Sequence, residues 1–228
     1  MGCYRGIPVR LDREKLFEQM HIRRDLWNFN EYEKAYDELS EELPRLIETR
    51  GIYKLVSNEI GTLIHKDLAG LSHLVCSMVT LGPGISERCT AYFMEKDYLK
   101  GLMIDSIADQ VLFDLSNDFY QIIREDVCTR RGFGLTVRFA PDDQLIPIHF
   151  QKEILEIVDG RRQLAVDITE GYMYNPIKTL GYVYGADHEI CTAEVDHDCR
   201  LCSNTGCEFR KTERRSAEFG TRQNDVYL

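Results

Sequence analysis

Leu74-Val75-Cys76-Ser77-Met78-Val79, followed by Thr80-Leu81 and the turn Gly82-Pro83-Gly84, decides how the rest of the chain is read. The run is apolar and partly β-branched, and a glycine-proline turn closes it, so it predicts a buried strand. Just beyond, residues 86–94 read as a helix. Residues 97–125 form the longest periodic segment, with Leu99, Leu102, Met103, Ile107, Val111, Leu112, Leu115, Phe119, Ile122 and Ile123 on one or two apolar stripes. That pattern predicts a central, largely buried helix. Upstream, residues 31–48 carry Tyr32, Ala35, Tyr36, Leu39, Leu43, Leu46 and Ile47 at helical spacing among charged residues. They predict an amphipathic helix in which Pro44 imposes a kink or restart, with Gly51 as its stop.

The outer segments follow from the same reading. Residues 2–22 read as an irregular entry with one short helix over 13–20. Residues 52–56, 133–139, 164–168 and 180–184 read as strands, and residues 148–158 as a helix ended by Asp159-Gly160. Long helices and separated strands without a βαβ rhythm predict an α+β domain.

Composition narrows the function. The 228 residues are 43% hydrophobic, enough for a substantial core. Acidic residues outnumber basic ones 38 to 28, a net charge of -10. This balance is the reverse of that expected for a nucleic-acid backbone binder. No apolar run reaches the roughly 18 residues of a membrane span, and Met1-Gly2-Cys3-Tyr4-Arg5 lacks the apolar core of a secretory signal. Cytoplasmic residence is the expectation, with neither nucleic acid nor membrane as partner.

The chain has 8 cysteines. Cys3, Cys76, Cys89 and Cys128 are scattered, and are expected to be small buried hydrophobes. Cys191, Cys199, Cys202 and Cys207 cluster near the end. Cys199-Arg200-Leu201-Cys202 has the Cys-x-x-Cys spacing that lets two thiolates face one metal. Four thiolates suffice for a [4Fe–4S] cluster or a four-cysteine zinc site, with His188 and His197 as possible substitutes for zinc. A structural zinc knuckle and unligated thiols are the plainer readings of the same residues. The basic residues Arg210, Lys211, Arg214 and Arg215 read as a solvated run.

Four ordered segments together resemble the activation domain family of cobalamin-dependent methionine synthase. They are Leu74 to Gly82; Asp97-Tyr98-Leu99-Lys100-Gly101-Leu102-Met103-Ile104-Asp105-Ser106-Ile107-Ala108; Arg138-Phe139-Ala140-Pro141 with Pro147 and Gln151; and Ile168-Thr169-Glu170-Gly171-Tyr172-Met173-Tyr174-Asn175-Pro176-Ile177-Lys178-Thr179. The third is similar to the family's Arg-x-x-Pro-Gly-Tyr stretch, and the fourth to its Thr-Glu-x-x-Met-x-x-Pro segment. Where the family has Gly-Tyr, this chain has Asp142-Asp143.

The resemblance implies a bent, mainly antiparallel sheet with long central helices. The resemblance covers roughly residues 50–185, so the chain is expected to divide into a helical segment over 1–50, a core over 51–186 similar to that family and, from the cysteine spacing, a cysteine-rich, metal-binding tail over 187–228. The resemblance further implies S-adenosylmethionine binding and docking over a cobalamin held by a corrinoid protein or methyltransferase. A reductase or other donor would supply the electron for reductive methylation. Arg138 would meet the ligand carboxylate, Asp105 the ligand amine, and Pro141, Glu170 and Tyr172 would line the cleft. Asp109 reads as a solvated helix position, His65, His73 and His149 as structural, and Tyr172 and Tyr184 are equally readable as core aromatics. A docking module that has lost S-adenosylmethionine and keeps only a zinc knuckle is the rival reading, favoured by the carboxylates at 142 and 143.

Overall fold

The computed structural model describes residues 2–141, 146–193, 196–197, 199 and 206–207. In chain order its elements are β1 (Gly2–Arg5), α1 (Arg13–Gln19), α2 (Phe29–Leu46), β2 (Arg50–Ser57), α3 (Gly61–Ile64), β3 (His73–Thr80), α4 (Gly84–Met94) and α5 (Tyr98–Arg124). They continue with β4 (Gly134–Leu135), α6 (Phe150–Ile157), α7 (Gly160–Leu164), β5 (Asp167–Ile168), β6 (Tyr174–Asn175) and β7 (Thr179–Asp187). The main sheet runs β1-β2-β3-β7-β4, with every neighbouring pair antiparallel. The small β5–β6 ribbon stands apart from it. The architecture is α+β, with a curled antiparallel sheet and helices on both faces.

β3 lies between β2 and β7, and its side chains alternate between two cores because successive strand residues point to opposite faces. Val75 and Val79 join Tyr53, Tyr182 and Tyr184 beneath α5, together with α1, α2 and α4. Leu74, Cys76 and Met78 join Ile52, Val183 and the apolar side of α6 and α7. An uninterrupted apolar strand is what such two-sided burial requires.

α5 runs 27 residues, about 40 Å at the rise of an α-helix. Asp97 caps it by accepting the Lys100 N–H at 3.2 Å. Met103, Ile104, Ile107, Val111, Leu115, Phe119 and Ile123 are fully buried, so the helix is the spine of the larger core. It passes into a π-helical turn over Glu125–Arg130.

The structure corrects several expectations. Pro44 does not restart α2, which runs through it unbroken. It falls in the final turn, and the chain goes extended at Ile47, so the ring acts next to a natural stop. The irregular entry hides β1, whose four residues pair with Arg50–Tyr53. The strand expected over 133–139 is only Gly134–Leu135 plus a bridge from Phe139 to Val183. Between them, the Thr136 hydroxyl rather than a carbonyl accepts the Gly185 N–H, at 2.9 Å, which interrupts the ladder. The strand expected over 164–168 is cut short because α7 takes Leu164, with Ala165 left-handed at φ 55. Of the scattered cysteines, Cys76 is buried, Cys89 and Cys128 are half-buried, and Cys3 is exposed on the edge strand β1.

Candidate functional site

A cleft of about 230 Å³ opens where α5, α6 and the turn leading into β7 meet. Its polar side chains are Asp109, Gln151, Tyr174, Lys178 and Thr179, and its apolar walls include Leu112, Phe113, Met173, Ile177 and Leu180. The turn is built by local polar contacts. The Thr179 hydroxyl donates to the Pro176 carbonyl at 2.7 Å and lies 2.7 Å from the Thr80 hydroxyl. The Leu81 N–H donates to the Lys178 carbonyl at 3.0 Å. These bonds fix the start of β7 against the end of β3 and bring Lys178 over α5.

Lys178 is 9% exposed. Its ammonium lies 2.7 Å from both Asp105 Oδ1 and Asp109 Oδ1, and donates to the Asp105 carbonyl at 3.4 Å. Burial alone would lower its pKa, but hydrogen bonds to the two aspartates outweigh burial and raise it above 10.5. The i, i+4 spacing of Asp105 and Asp109 puts both on the face of α5 that meets this lysine. Asp109, expected to be merely solvated, is thus half of an ion-pair clamp. Gln151 sits on the second position of α6, 9% exposed, and its Oε1 has no hydrogen-bond partner among the described residues.

The other expected site residues lie elsewhere. Arg138 is 4% exposed. Its guanidinium donates to the Ser116 hydroxyl at 3.0 Å, lies 3.5 Å from Asp196 Oδ2, and sits 5.6 Å from the Tyr182 ring centre. Asp196 also accepts from the Tyr184 hydroxyl. The Tyr184 pKa is pushed well up, first by burial and then by the Asp196 charge. Pro141 is buried, Glu170 exposed, and Tyr172 half-buried in a left-handed turn at φ 62. Asp142 and Asp143 lie outside the described residues, and so does Cys202. None of Arg138, Pro141, Glu170 and Tyr172 lines the cleft; only the Asp105–Lys178 contact ties an expected residue to it.

The cysteine-bearing segment starts on the sheet edge. The Ala193 N–H donates to the Leu135 carbonyl at 2.7 Å, and the Thr192 hydroxyl to the Cys128 sulfur at 3.3 Å. Cys191 is exposed, while Cys199 and Cys207 are half-buried. No three metal-ligating side chains converge among the described residues.

Lys178 and Gln151 were missed as site residues, although both stand in the quoted segments. The readable signal for Lys178 is a lone cation one residue before a strand of buried aromatics, which needs a carboxylate from a facing element. A second concavity, about 440 Å³, lies between residues 6–11 and the end of α2, and has no ionisable side chain in its lining.

The described residues adopt an α+β fold similar to that of a methionine synthase reactivation domain. In particular, the chain is similar to a solved structure described as the crystal structure of the MetH reactivation domain bound to AdoHcy, at 13% sequence identity and a TM-score of 0.54, over 87% of this chain and 82% of that chain. No family model and no curated protein matches the sequence. No helix among the described residues is long and apolar enough to cross a membrane.

Proposed function

We propose that the chain is an accessory protein that supports the reductive reactivation of a corrinoid-dependent methyltransferase. The observation that carries this reading is the shared fold over 87% of the chain with a reactivation domain solved with AdoHcy bound. On this reading the cobalamin belongs to a partner, S-adenosylmethionine supplies the methyl group, and a reductase or other donor supplies one electron. The chain's own task is to bind and orient, so no nucleophile or general acid is required of it. The division into 1–50, 51–186 and 187–228 belongs to the same proposal, as does cytoplasmic residence without nucleic-acid or membrane partners.

The tail enters as a candidate holder of a zinc ion or [4Fe–4S] cluster on Cys191, Cys199, Cys202 and Cys207. Among the described residues these side chains do not converge as a ligand set.

The site supports a second reading, a corrinoid-docking module without S-adenosylmethionine. What favours it is the enclosure of Arg138, whose guanidinium already meets Ser116 and Asp196 at 4% exposure. A ligand carboxylate would have to displace Asp196. Calorimetric titration of S-adenosylmethionine into the whole chain separates the two. Saturable binding that Arg138→Lys weakens, in a variant whose melting curve shows it folded, supports reactivation with the Arg138 assignment. Absence of binding heat supports the docking module and removes the methyl-donor role.

A further inference from the structure

We propose that Asp196 is an autoinhibitory plug, a tethered carboxylate that holds the place of a ligand carboxylate at Arg138 and Tyr184. The proposal rests on the reactivation reading, which gives Arg138 a ligand carboxylate to bind, and adds what controls access to that arginine.

The cradle that holds this carboxylate is rooted in the fold. Arg138 stands one residue before Phe139, whose N–H donates to the Val183 carbonyl at 2.8 Å. Tyr184 is a fully buried residue of β7, and Ser116 lies on α5. Together they take both oxygens of one carboxylate. The Tyr184 hydroxyl donates to Asp196 Oδ1, and the guanidinium, also bonded to the Ser116 hydroxyl at 3.0 Å, lies 3.5 Å from Oδ2. A separate donor for each oxygen suits a carboxylate, and a buried guanidinium requires an anion beside it. The class of ligand is thus visible in the structure, because the chain supplies one itself.

The segment that brings Asp196 there is held quite differently. From His188 onward Asp196 is the only buried residue among those described, and neither apolar core includes a described residue beyond Ala186. His188–Ala193 attaches by hydrogen bonds and one ring stack. The Ala193 N–H donates to the Leu135 carbonyl at 2.7 Å, and the Tyr120 hydroxyl to the Ala193 carbonyl at 3.2 Å. The Thr192 hydroxyl covers the Cys128 sulfur at 3.3 Å, and the His188 ring stacks on Phe133 at 3.9 Å. Water replaces such bonds at small net cost when the segment lifts. The one contact that water cannot replace is the carboxylate on the buried arginine, and an incoming ligand carboxylate restores it. Asp196 therefore competes with the ligand, and apparent affinity falls by the fraction of chains that are open.

The whole parent chain is compared with Asp196→Ala and Asp196→Asn. Asp196→Ala vacates the cradle, and sodium acetate is expected to raise its melting temperature saturably. Sodium chloride at equal ionic strength should not, and neither salt should do so in the parent. Asp196→Asn keeps the shape of the plug and removes its charge. By calorimetry S-adenosylmethionine is expected to bind this variant about tenfold more tightly than the parent. In the parent the same ligand should speed alkylation of Cys128 by iodoacetamide about tenfold, because displacing Asp196 lifts Thr192 from the sulfur. Cys76, buried in the core, should stay unmodified throughout and report that the chain remains folded. Equal affinity in the parent and Asp196→Asn, or binding that leaves Cys128 alkylation unchanged, overturns the plug and leaves the reactivation reading standing. A folded Asp196→Ala that acetate fails to stabilise does the same. No binding of S-adenosylmethionine to the parent or to Asp196→Asn overturns both the plug and the reactivation reading.

Discussion

Arg138 and Asp196 hold each other twice: the Arg138 N–H donates to the Asp196 carbonyl at 2.8 Å, and the guanidinium lies 3.5 Å from Asp196 Oδ2. Both side chains are at least nine-tenths buried, at 5% and 7% exposure. Deleting one partner of such a pair leaves a charge in an apolar surrounding. Asp196→Ala is expected to cost about 3–5 kcal/mol, read as a lower urea midpoint at unchanged slope. An unchanged midpoint would mean that the segment carrying Asp196 does not pack on the sheet.

Lys178 couples stability to alkaline pH. Its folded pKa is raised above 10.5, so its contribution is complete below that value and disappears as pH rises through the folded value. Because Asp105 and Asp109 are half-exposed, Lys178→Met is expected to cost only about 1–2 kcal/mol near neutrality. The gap in melting temperature between the parent and this variant should narrow above pH 10.5. A gap independent of pH would reject the ion-pair account.

Tyr53 and Asp126 give the acid-side counterpart. The Tyr53 hydroxyl donates to Asp126 Oδ2 at 2.6 Å, and this bond is the first cause holding the Asp126 carboxyl below 3.8. The contribution is therefore present above about pH 4 and is lost as pH falls through the lowered folded value. Tyr53→Phe should cost about 1–2 kcal/mol at neutral pH and make the acid-unfolding limb shallower. A double-mutant cycle with Asp126→Asn isolates the coupling.

Gly181 leaves room for the Tyr174 ring. A Cβ there would stand 2.2 Å from the Tyr174 hydroxyl oxygen, and that hydroxyl donates to the Gln151 carbonyl at 3.0 Å. Gly181→Ala is expected to push the ring aside, lose the bond and destabilise the chain by about 1–3 kcal/mol. The Gln151 side-chain amide resonance should move with it. A variant with parental stability and spectrum would show that the ring adjusts without disturbing α6.

The spine of the fold was legible because long-period apolar patterns carry their own signal. The run 74–79 and the stripes of 97–125 became β3 and α5, and their burial follows from composition alone. What escaped is what depends on partners distant in sequence. Nothing in residues 2–5 marks a strand, because β1 exists only through its pairing with Arg50–Tyr53. The break in the strand over 133–139 is set by a Thr136 hydroxyl that meets Gly185, 49 residues later. The site was legible only in pieces. Asp105 is held by Lys178, 73 residues away, and no local pattern joins the two. Arg138 matched a motif, but the motif cannot reveal that Asp196 lies against it.

The placement of β7 has a consequence for biosynthesis. The last long strand is not an edge but sits between β3 and β4, and its register joins His73 to Ala186 and Thr80 to Thr179. On the ribosome β3 therefore waits, one flank bare, for more than a hundred residues of translation, and the sheet closes only after β7 has left the exit tunnel. Early termination anywhere before that point would release a chain whose most apolar strand lacks its mate, a species inclined to self-associate.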